Sequence, residues 1–119
     1  MTWTALTGED GFADGRGTDG GIVVADEEDG TQSARITLER DTVIAPAGIT
    51  CGLYGWMVHT RHFAELDSAR QQFEAMKPGL AELVEMVPLL ADPEVEAKTE
   101  TLVRAISVRA ISAFVEKFP

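Results

Sequence analysis

Cysteine is almost absent from this chain: Cys51 stands alone, so no disulfide can close within it. The N-terminal stretch also lacks a basic segment followed by an apolar core, and the two absences together point to a reduced, cytoplasmic protein. Positive charge is scarce as well. Twenty Asp and Glu against ten Lys and Arg give a net charge of −10, with no Lys/Arg cluster to interrupt the field. Such a surface repels phosphate backbones and anionic headgroups, so neither nucleic acid nor an acidic membrane is an expected partner. Every apolar run falls far short of the roughly twenty residues that span a bilayer. No internal repeat or linker divides the 119 residues, and they are read as one domain.

What is present reads as strands followed by helices. Thr2–Thr7 forms a short first strand, and residues 8–21, rich in Gly and Asp, read as a mobile surface loop. Ile22–Glu27 and Ser33–Arg40 flank a turn centred on Asp29-Gly30, a strong hairpin signal. In the second arm Ala34, Ile36 and Leu38 alternate with Arg35, Thr37 and Glu39, which predicts one packed face and one wet face. After Asp41–Ile44 a Pro46-Ala47-Gly48 turn leads into Ile49–His62, read as a strand because Gly52 and Gly55 oppose a helix. At full length that strand would run about 46 Å, so one of the two glycines should mark a bulge or bend.

From Leu66 the apolar positions fall at Leu66, Ala69, Phe73, Met76, Leu80, Leu83 and Val87, a three-four spacing that keeps phase across Pro78. This predicts one helix kinked at Pro78 or two collinear pieces, with Asp67 or Ser68 as cap and Pro88 and Asp92-Pro93 as the stop. A last helix over Glu94–Lys117 is apolar on most sides. Leu102, Val103, Ile106, Val108, Ala110, Ile111, Phe114 and Val115 exceed what one buried stripe needs, and a second copy of the chain is the expected cover. The fold class is α+β: an antiparallel meander of three to four strands over residues 1–63, then two long helices packed on one face over 64–119.

Candidate chemistry is thin. Tyr54 and Trp56 with His59, Arg61 and His62 form the densest functional cluster, an aromatic floor with a cationic end suited to a small anionic or planar ligand. His59-x-x-His62 followed by Glu65 has metal-ligand residue types, but on a strand an i, i+3 pair points to opposite faces, so no metal site is expected. Asp10, Asp14 and Asp19 miss the ligand spacing of a calcium loop. Gly15-x-Gly17-x-x-Gly20 precedes a strand instead of opening a helix, and so carries no dinucleotide mechanism. On one extended strand Cys51 and His59 lie about 26 Å apart, which excludes a thiolate pair, and Thr50 is likewise out of reach of His62. No cofactor is expected. These features describe a small acidic protein that is not an enzyme and acts as a homodimer through its C-terminal helix. The alternative is a small-molecule-binding protein or enzyme with a pocket between the helices and the Tyr54–His62 strand.

Overall fold

A computed structural model describes residues 3–6, 15–54, 56–86 and 108–119. Strands β1 (Trp3–Ala5), β2 (Ile22–Asp29), β3 (Ala34–Arg40), β4 (Ala47–Leu53) and β5 (Met57–Phe63) precede helix α1 (Leu66–Met86). A second helix, α2, is described over 108–117. The five strands form one antiparallel sheet in the order β1-β2-β3-β4-β5, a pure meander. The architecture is therefore α+β, with more strands than the sequence reading gave. The difference lies in Ile49–His62. It is not one strand with a bend at a glycine but a tight hairpin, with Tyr54 and Trp56 in its turn and Leu53 paired to Met57. Among the described residues, no helix is long and apolar enough to cross a membrane.

Alternation sorts the strands into two faces. Ile36, Leu38, Ile49, Cys51 and Leu53 point toward α1, which answers with Ala69, Phe73, Met76, Leu80 and Leu83. These are the positions picked out by the three-four spacing, and each large side chain buried among them contributes about 1.5–3 kcal/mol. α1 runs unbroken through Pro78, because packing along its whole apolar stripe outweighs the lost donor. The helix begins at Leu66, so Asp67 sits in its first turn, where a carboxylate favours the helix dipole, and not at the cap. Lys77 reaches from α1 to the Glu27 carboxylate on β2 at 2.8–2.9 Å. The rings of Phe114 in α2 and of Phe118 just beyond it are buried in the same core and lie against Gly79, where any side chain would meet them. The expected helix over Glu94–Lys117 is thus described only in its last part, and residues 94–107 lie outside the described residues.

The face away from the helices is not wet along its length. Thr37, bonded to the Asp26 carboxylate, is 4% exposed, and Glu39 is fully buried because residues 15–21 lie across this end of β3. The β2–β3 turn also differs from the reading centred on Asp29-Gly30. Its left-handed residue is Gln32, with φ 59°, and the Asp29 side chain shapes it. Asp29 Oδ1 accepts from the backbone N–H groups of Ser33 and Ala34, both at 2.7 Å, and Oδ2 accepts from the N–H and hydroxyl of Thr31.

Burial alone would raise the pKa of Asp29, but the hydrogen bonds from Thr31, Ala34 and Ser33 outweigh it and hold the carboxyl below its usual 3.8. A carboxylate depressed in the folded state stabilises fully above its unfolded pKa, and that contribution is lost as pH falls through the lower folded value. Asp29→Asn should therefore cost about 1–3 kcal/mol at neutral pH, since it removes a charged acceptor from a buried turn. Chemical denaturation from pH 7 down to 3 checks this: the gap between wild type and variant should shrink in acid.

Candidate functional site

The β4–β5 hairpin places the sequence-derived candidates in three different surroundings. Cross-strand partners share a face, so the row Ile36, Cys51, His59 and the row Leu38, Ile49, Arg61 both lie on the helix side. There the His59 ring shares a hydrogen bond with the Phe118 carbonyl at 2.6 Å. Arg61 donates to the Pro119 carbonyl at 3.0 Å and to Gln72 Oε1 at 2.8 Å, and stacks on the rings of Phe63 and Phe118. Burial lowers the pKa of Arg61. His62 is on the opposite face, 2.6 Å from Asp19 Oδ2. Trp56 sits in the hairpin turn against the core. Tyr54 extends past the end of β4 to donate to Glu28 Oε2 at 2.5 Å.

His59 and His62 are thus divided by the sheet, and no group of three metal-ligating side chains occurs among the described residues. Cys51 and His59 require a correction. The hairpin makes them direct cross-strand partners, where one extended strand would have held them far apart. Proximity does not make a nucleophile here, because burial pushes the Cys51 thiol up to about 12. Thr50 and His62 stay on neighbouring rows, and the Thr50 hydroxyl pairs with that of Thr60 at 3.3 Å.

The open face is organised in rows. Glu39, Gly48 and His62 form the first; Thr37, Thr50 and Thr60 the second; Arg35, Gly52 and Val58 the third. Residues 15–21 cover the first row. Arg16 bridges to Ile22, the Gly21 N–H donates to Glu39 Oε1 at 3.0 Å, and the Val43 N–H donates to the Asp19 carbonyl at 3.2 Å. Glu39 Oε2, also buried, has no hydrogen-bond partner among the described residues. The contact is close enough that a methyl group on Gly17 would fall 2.2 Å from the Glu39 carboxyl carbon. Of the glycines that mimic a dinucleotide fingerprint, Gly17 therefore lets backbone lie directly on a carboxylate. Seven residues of the stretch read as a mobile loop take part in this packing, and residues 7–14 lie outside the described residues.

Beyond that cover the face opens into a groove of about 250 Å³ around Gly52, lined by Thr18, Arg35, Thr37, Thr50, Tyr54 and Val58. Its floor exists because Gly52 has no side chain. A methyl group there would meet only the Met57 carbonyl, at an ordinary 3.5 Å. One wall is a buried polar lattice: Arg35 grips the Asp26 carboxylate with Nε at 2.9 Å and Nη2 at 2.5 Å, and Thr37 donates to the same group at 2.9 Å. The hydrogen bond to Asp26, larger than the opposing effect of burial, raises the pKa of Arg35. Tyr54 closes one end, its phenol pushed up to about 12 by burial and by the Glu28 carboxylate, so the ring stays neutral. The other wall is Val58, 79% exposed.

Of the candidates named from sequence, only Tyr54 lines this groove. Arg35, Thr37 and Val58 are not marked as site residues by the sequence, Thr50 enters it only as a nucleophile out of reach of His62, and Gly52 only as a residue that opposes a helix and marks a bend. The available signal was Gly52, a glycine in a run otherwise fit for a strand, which commonly marks a close approach or a missing side chain. If the cover over Glu39 is as tight as described, Gly17→Ala should cost about 1–3 kcal/mol by overpacking. Adding Glu39→Ala to it should cost less than the two single changes summed, because the clash is removed. Urea denaturation of the four proteins measures this, and additive losses would contradict it. Comparison with protein-family models, curated proteins and solved structures finds no match to this chain.

Proposed function

We propose that this protein works by binding and not by catalysis, and that its site is the groove at Gly52, which receives an aromatic or branched apolar side chain offered by a partner. The observation that carries this reading is the glycine itself. A Cβ at position 52 would make only an ordinary contact, and a β-branched residue suits a strand better by about 0.5–1 kcal/mol or more, yet the position carries no side chain. At about 250 Å³ the groove is smaller than pockets for drug-sized ligands and suits one ring. Its surroundings support the same class of ligand. β4 and β5 offer Thr50, Gly52, Val58 and Thr60 to solvent with no formal charge, in a chain of net charge −10.

Gly52→Val tests the reading. In a titration with N-acetyl-phenylalaninamide followed by amide shifts, wild type should respond at Thr50, Gly52 and Val58. The variant should lose about tenfold or more in affinity, a change of about 1.4 kcal/mol, with no fall in thermal stability. Unchanged affinity in the variant would contradict the site.

Self-association is a second proposal. Over 108–117 the apolar residues Ala110, Ile111, Phe114 and Val115 pack into the chain's own core, while Val108 is 54% exposed. A homodimer through the C-terminal helix would use that exposed side together with residues 94–107. Light scattering at low micromolar concentration should report twice the chain mass, and a monomer across that range would remove the proposal.

A further inference from the structure

We propose that β5 is a docking edge at which an extended, acidic segment of another protein adds to the sheet as a further strand, laying an aromatic side chain over Val58 into the Gly52 groove. This rests on the groove reading above and specifies the partner. β5 pairs with β4 in unbroken register from Ala47↔Phe63 to Leu53↔Met57, and no described strand pairs with its other side. It has no proline and no bulge to blunt it. The opposite edge, β1, is only Trp3–Ala5 and too short to serve as an equal template. A long flat edge leaves backbone donors and acceptors facing outward, and an extended peptide satisfies them.

Charge selects the occupant. In a chain of net charge −10, β5 carries Arg61, His59 and His62 and no carboxylate. His62 already faces the Asp19 carboxylate on the open side, whereas Arg61 donates to Gln72 Oε1 and to the backbone oxygen of Pro119 and forms no ion pair with the side-chain carboxylate of any described residue. A second copy is a poor occupant, since antiparallel pairing about Thr60 would set the Arg61 of each copy opposite the His59 of the other and bring no carboxylate to either. An acidic strand answers the charge. Val58 and Arg61 lie three residues apart and on opposite faces, so an added antiparallel strand needs its aromatic residue opposite Val58 and its acidic residue three positions earlier, opposite Arg61. The recognition pattern is Glu or Asp, two residues of any kind, then Phe, Tyr or Trp. The aromatic residue falls on the groove side and the acid on the helix side.

The probe is a capped peptide, Ser-Val-Glu-Thr-Val-Phe-Thr-Ser, titrated into the full chain with amide exchange read by NMR. The expected result is new protection at alternate amides of β5 and saturable shifts around Gly52. Changing the peptide's Glu to Gln should weaken binding about tenfold, and methylating its alternate backbone nitrogens should abolish it. Equal binding by the methylated or the Gln peptide overturns strand addition. So does β5 protection that grows with protein concentration in the absence of peptide, which would assign the edge to a second copy. If the peptide's Phe binds in a way that Gly52→Val abolishes while β5 gains no protection, strand addition fails and the groove stands. If Gly52→Val binds the peptide as well as wild type does, the groove reading itself fails.

Discussion

The backbone of Gly17 lies against the carboxylate of Glu39, and the plan of the open face depends on that contact. It allows a short, glycine-rich segment to cover one end of β3 without helices of its own. β3 is consequently buried on both sides, by α1 on one and by residues 15–21 on the other, although it reads as a strand with one wet face. Side chains of ordinary size at Gly17 or Gly21 would lift the segment away and expose Glu39 to water. The cover stops at Thr18. From there the face continues as an uncharged surface of threonines, with a gap at Gly52.

The sheet divides the chemistry of the β4–β5 hairpin into two roles. On the helix side, His59 and Arg61 hold backbone carbonyls of Phe118 and Pro119 and so fasten the end of α2 to the edge of the sheet. On the open side, Thr50, Thr60 and Val58 offer hydroxyls and methyls with little to repel an apolar ligand. Burial pushes the Cys51 thiol and the Tyr54 phenol up to about 12, so both groups are held in their neutral forms.

Much of the fold was legible because burial leaves a period. The alternation Ala34, Ile36, Leu38 and the spacing Ala69, Phe73, Met76, Leu80, Leu83 each report one packed face, and all of these side chains are in the core. Where the sequence misled, a contact distant along the chain decides the outcome. Glu39 looks solvent-facing because its cover comes from residues 15–21, and Thr37 because its partner Asp26 lies on another strand. Ile49–His62 keeps a single alternation through its turn, since the pairing of Leu53 with Met57 returns Met57 to the face of Leu53. A hairpin and a straight strand therefore show the same pattern. The candidate site was read along one strand, so Tyr54, His59 and His62 appeared together, whereas the groove assembles across strands β3, β4 and β5 and depends on a side chain that is missing.

The central claim is that the uncovered part of the open face, and not the helix side, is where this protein meets its partner. The most direct measurement is a set of isotope-filtered nuclear Overhauser contacts from the ring protons of N-acetyl-phenylalaninamide to the methyl groups of the protein. The account predicts contacts to Val58 and to the methyls of Thr50 and Thr37, with none to Ile49, Leu38 or Leu80. Ring contacts to those core methyls, or to Ile111 and Val115 of α2, would contradict it.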